Sequence, residues 1–113
     1  MALAGERRRR RRVSLHLLVQ LRRQQGTSLI EGITENISSE GLYCISQEKF
    51  ELDARLQCKI MIPEGSFGLE SSRVLDCRVT VRRVEELPTG FGLGCQIEDY
   101  TLAIDPELVP IGP

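Results

Sequence analysis

The chain has 113 residues, 41% of them hydrophobic, which suffices for one core and fits a single domain. Aromatic residues make up 4% and Trp is absent, which argues against a base-stacking platform for single-stranded nucleic acid. The net charge of −1 hides an asymmetry: residues 7–23 hold eight Arg and no acid, while the other segments hold seven basic residues against all 16 acids. A cationic end on an anionic body points to an anionic ligand, a nucleic acid or a membrane surface as the partner of the basic arm.

In chain order, the first element is a strand over Val13–Arg22. Val13, Leu15, Leu17, Val19 and Leu21 alternate with polar residues, with Leu18 as the exception. A turn over Gln24–Thr27 leads to a second strand, Leu29–Glu35, with Gly32 inside it. Asn36–Gly41 (NISSEG) is rich in turn-forming residues, and Gly41–Ser46 reads as a third strand.

Arg55–Ile62 shows the clearest alternation, with Leu56, Cys58, Ile60 and Ile62 on one face. After a loop over Pro63–Gly68, Arg73–Glu86 alternates again. Leu75, Cys77, Val79 and Val81 point inward; Asp76, Arg78, Thr80 and Arg82 point outward. The length predicts one long strand or two joined at a bend. Pro88–Gly90 makes a hairpin turn, and Phe91–Glu98 returns with Phe91, Leu93, Cys95 and Ile97 on one side. Tyr100–Pro113 has room for a helical turn at most before Pro110 and Pro113. Six or seven short strands without a long helix predict a β-sandwich or small barrel.

No apolar stretch is long enough to cross a bilayer. Met1–Gly5 precede the arginines, and the alternating segment behind them is not the apolar core of a signal peptide. The expected location is the cytoplasm, with Cys44, Cys58, Cys77 and Cys95 as reduced thiols. No pair has CxxC spacing, and three follow the apolar parity of their strands. They read as small buried hydrophobes, and a metal site is not expected. His16 falls on the polar side of the first strand without a sequence partner. Ser38 and Ser39 have no nearby base, so nucleophilic catalysis has no support. Gly90, Gly92 and Gly94 are not followed by a helix and do not form a phosphate loop; they mark a barrel bend or close packing.

Two features remain. ERRRRRRV stands directly before the first strand, and NISSEG fits the pattern Asn-x-Ser-x-x-Gly. Together, and with FGLGCQIED near the end, they make the chain resemble the PilZ family. That family pairs an RxxxR arm with a [DN]xSxxG turn to bind cyclic di-GMP. The resemblance implies an all-β fold: a small six-stranded antiparallel barrel over residues 13–100. A disordered Arg-rich arm over residues 1–12 would precede it, and a tail over 101–113 would follow.

It also implies the site. RxxxR falls on Arg8 and Arg12, with Arg7 and Arg11 as the other frame. Arg12 abuts the first strand, as the second Arg commonly does in the family. The turn carries over as Asn36, Ser38 and Gly41, with Asn in place of the commoner Asp. Arg7, just before the motif, would suit an extra guanine contact. The long C-terminal helix of some members has no counterpart here.

The chemistry agrees. A guanidinium grips a phosphate, or the Hoogsteen edge of guanine, with two parallel hydrogen bonds, and it stacks on a purine face. The expectation is a non-catalytic receptor, without metal or cofactor, that closes its arm over cyclic di-GMP and signals to a protein partner through a changed surface. The other readings are a PilZ-like adaptor that ignores nucleotide and a basic-arm nucleic-acid binder. The latter would show a steep dependence on salt.

Overall fold

Alternation of period two places every second side chain on one face of a strand, and a sheet that curls onto itself turns that face into a core. A computed structural model describes residues 13–104 of the chain. Its strands are β1 (Val13–Ser14), β2 (Leu18–Arg23), β3 (Ile30–Ile37), β4 (Gly41–Ser46), β5 (Arg55–Ile62), β6 (Arg73–Leu87) and β7 (Gly90–Ile104). Every pairing is antiparallel. The order β3-β2-β5-β6-β7-β4 closes through a β3–β4 pairing into a six-stranded barrel, and β1 continues the β2 edge of β3. The only helical element among the described residues is a 3-10 turn at Ser66–Gly68. No described helix is long and apolar enough to cross a membrane.

The interior is built from the residues that the alternation selects. Val19, Leu21, Leu56, Cys58, Ile60, Cys77, Val79, Val81, Leu93 and Cys95 are buried, and Leu75, Phe91 and Ile97 pack against them half-buried. Leu18, the exception to the first strand's rhythm, is exposed. Phe50 is buried as well, although it lies in the β4–β5 connection and belongs to no strand pattern.

Several elements differ from the sequence expectation. The first strand breaks at Leu15–Leu17. Thr34 Oγ1 sits in the break, accepting from the Leu17 amide at 2.8 Å and donating to the Leu15 carbonyl. A buried hydroxyl thus replaces ladder bonds that a continuous strand would make. Residues 29–35 shift to Ile30–Ile37, so Asn36 lies in a strand and not in a turn. β6 is one continuous strand, the first of the two expected alternatives, but β7 continues to Ile104, where a tail with at most a helical turn was expected. Pairing with Arg73–Arg78 carries β7 through residues 99–104, a tertiary partner that overrides weak local preference.

Three ladder irregularities matter for the surface. β3 carries one extra residue, Glu35, between Thr34 and Asn36. β7 carries Glu98 between the partners of Arg78 and Val79, and β6 carries Arg82 between the partners of Cys95 and Gly94. A bulge shifts the pairing parity of the residues that follow it. Thr80, expected to face solvent, is buried, and its hydroxyl donates to Glu98 Oε2 at 2.9 Å.

All four cysteines are free and buried. Cys58 pairs with Cys77 across β5–β6. A hydrogen bond with Cys95, and then burial, raises the Cys44 thiol far above the usual range. Burial pushes Cys77 up to about 12 and raises Cys58 as well. Thiolate is the reactive form, so these groups should be inert while the barrel is closed. The native protein should leave a disulfide reagent such as DTNB unreacted over minutes, and four thiols should react once denaturant is added. Rapid stoichiometric labelling of native protein would contradict this packing.

Candidate functional site

The β3–β4 connection forms a corner over Ile37–Gly41. The Ser38 amide donates to the Gly41 carbonyl at 2.8 Å, closing the turn. Ser38 Oγ accepts from the amides of Glu40 at 3.2 Å and Gly41 at 3.3 Å. The motif serine therefore organises the loop from within, as Ser does in turns generally. Its oxygen is directed at its own turn.

Gly41 is required for a steric reason. A Cβ added there would lie 2.7 Å from the Cys95 carbonyl oxygen, because β4 presses against β7 at this point. Left-handed backbone, the other role open to this glycine, is found at Gly65, Gly68 and Gly90 but not at Gly41.

Asn36 owes its position to the Glu35 bulge. Thr34 is buried and pairs with buried Cys44, so an uninterrupted strand would send Asn36 inward as well. The extra residue pairs Asn36 with Tyr43 instead. Tyr43 stands between inward Leu42 and Cys44, and directly paired residues share a face, so Asn36 lies on the outer wall. Asn36, Ser38 and Gly41 thus meet at one corner. Arg7, Arg8 and Arg12 lie outside the described residues. The first described residues join the corner directly: Ser14 pairs with Asn36, and Val13 with Ile37.

Beyond the corner, the outer wall carries residues that sequence reasoning passed over. Asn36, Tyr43, Gly94 and Arg83 form one cross-strand row over β3, β4, β7 and β6. The Tyr43 ring lies over Gly92, where any side chain would overlap its hydroxyl. That hydroxyl donates to Glu85 Oε1 at 2.6 Å, and the Arg83 guanidinium stands over the ring, 5.6 Å from its centroid. Partial burial and the Glu85 carboxylate push the Tyr43 phenol up to about 12. The alternating glycines of β7 were the available signal: close packing is what Gly92 provides. An open depression lined by Gln20, Arg22, Thr27, Leu29, Gln57 and Lys59 lies at the other end of the β2–β3 hairpin, beside its turn. Among the described residues, no group of three or more His, Cys, Asp or Glu is placed to hold a metal ion.

Barrel, corner and entering chain together define a small antiparallel barrel with a polar corner at the mouth of its first strand. The PilZ domain model matches residues 6–108, and the chain belongs to the PilZ domain family. PilZ domains are binding and effector domains. Among solved structures, the chain is similar to the inhibitor of motility MotI/DgrA of Bacillus subtilis, at 20% identity and a TM-score of 0.68. The match covers 83% of this chain and 44% of that one, so the chain spans less than half the length of that protein. No curated protein matches the sequence significantly.

Proposed function

We infer that this chain is a cyclic di-GMP receptor domain, with Arg7, Arg8 and Arg12 of the arm and Asn36, Ser38 and Gly41 of the corner as its site. The observation that carries the reading is the β1–β3 register. Val13 pairs with Ile37, so the residue that follows Arg12 is stitched beside the motif turn. Arg8 is five residues from Val13 in the chain, which keeps its backbone within about 18 Å of that point. Both arginines of the motif can therefore address a ligand resting at the corner.

Arginine suits both halves of such a ligand, gripping phosphate or guanine with a planar fork. The corner contributes a shaped edge: Gly41 keeps β4 close to β7, and Ser38 holds the turn. Closure of the arm over the ligand would alter the surface offered to a protein partner, which delivers the output. The reduced, buried cysteines fit a protein that works in the cytoplasm.

Calorimetric titration tests this directly. Wild type should bind cyclic di-GMP and ignore GTP. Arg12→Ala should lose a charge-assisted fork of about 1.5–3 kcal/mol, or roughly 10- to 150-fold in Kd. Absence of binding by pure, folded wild type would end the receptor reading. Unchanged binding by Arg12→Ala would remove that residue from the site.

A further inference from the structure

We propose that Tyr43 and Arg83 form a purine-stacking shelf that extends the corner across the outer wall, with Glu85 as the positioning residue that holds the ring. The proposal rests on the cyclic di-GMP reading and deepens it by naming where a base lies. Four observations converge.

The first is shape. The Tyr43 ring rests on a stretch of β7 that carries no side chain at Gly92 or Gly94. The hydroxyl end of the ring crosses Gly92, so the ring runs along the wall with the Arg83 guanidinium over it. The second is orientation: the 2.6 Å bond from Tyr43 to Glu85 ties the far end of the ring, limiting its rotation.

The third is the cation. Arg83 stands over the ring at 5.6 Å. It faces this way because the Arg82 bulge flips the parity of β6. Val84, which packs against the core, alternates with exposed Arg83 and Glu85. A guanidinium presents a flat, weakly hydrated face on which a purine stacks, as bases stack on Arg and aromatic planes elsewhere. The fourth is continuity. Asn36 pairs with Tyr43, Tyr43 with Gly94, and Gly94 with Arg83. Strands lie about 4.8 Å apart, so the shelf begins one strand from the corner. A ligand whose phosphate is gripped at the corner can lay a base on it.

The test uses the full chain carrying Tyr100→Phe, which leaves Tyr43 as its single tyrosine in a protein without Trp. Titration with cyclic di-GMP should quench the Tyr43 emission saturably, with the Kd found by calorimetry. Arg83→Lys keeps the charge but loses the plane, and should weaken binding about tenfold. Glu85→Ala removes the acceptor that ties the Tyr43 hydroxyl and should weaken binding, and Glu85→Gln, which keeps an acceptor, should recover most of it. Unfolding curves of each variant confirm that the barrel is intact. If wild type binds and depends on Arg12, but Tyr43 emission is unchanged and Arg83→Lys binds normally, the shelf is overturned and the receptor reading stands. If wild type binds no cyclic di-GMP, both fall together.

Discussion

Phe50→Ala is expected to cost about 3–5 kcal/mol, the usual range for deleting a fully buried ring. Phe50 is 1% exposed and packs into the barrel core from the β4–β5 connection. β4 runs away from the corner, from Gly41 to Ser46, so this connection covers the opposite end of the barrel. There the ring acts as a plug. Arg23, at the end of β2, places its guanidinium 4.5 Å from the ring centroid and pairs with Glu51 at 3.1 Å. The plug is thus capped from outside by a cation held in place.

Domains of this size have about 5–15 kcal/mol in total, so the variant should be marginal. Urea unfolding would show the loss as a lower midpoint. Cyclic di-GMP affinity of the folded fraction should stay unchanged, because Phe50 and the corner occupy opposite ends. A loss below about 1 kcal/mol would mean that the barrel end closes without this ring.

Gly41→Ala is expected to destabilise by about 2 kcal/mol, within the range for forcing atoms into a packed site. Relief from glycine's unfolded-state entropy works in the opposite direction, so a clear loss isolates the clash. The added Cβ would lie 2.7 Å from the Cys95 carbonyl oxygen, a backbone atom in a paired strand, which cannot swing aside as a flexible side chain would. The β4–β7 seam must open instead, and with it the base of the shelf at Tyr43 and Gly94. Urea unfolding and calorimetry should therefore report a lower midpoint and weaker cyclic di-GMP binding together. Full stability with lost binding would instead assign Gly41 to ligand approach alone.

Both predictions concern residues whose roles differ in how far the chain itself discloses them. The alternation in Arg55–Ile62 and the turn-rich segment before Gly41–Ser46 named those strands to the residue, and Cys44, Cys58, Cys77 and Cys95 are buried as their chemistry suggests. The Asn-x-Ser-x-x-Gly pattern marked the corner. Phe50 gave no signal, since a lone aromatic in a connection has no period to belong to. Tyr43 followed its strand's outward parity but had no visible reason to matter until Gly92 and Glu85 were beside it.

Local pattern therefore determined the class of fold, the family and the turn that carries the motif. Each is written in neighbouring residues: period-two hydrophobicity, turn chemistry and a short signature. The tertiary structure alone decided which way the decisive side chains face. The bulges at Glu35 and Arg82 exist only because one strand must match a partner distant in sequence. An extra residue there turns Asn36, Arg83 and Glu85 to the outer wall, although counting by twos along the chain assigns Asn36 inward. Parity is a property of the chain, but register is a property of the pair.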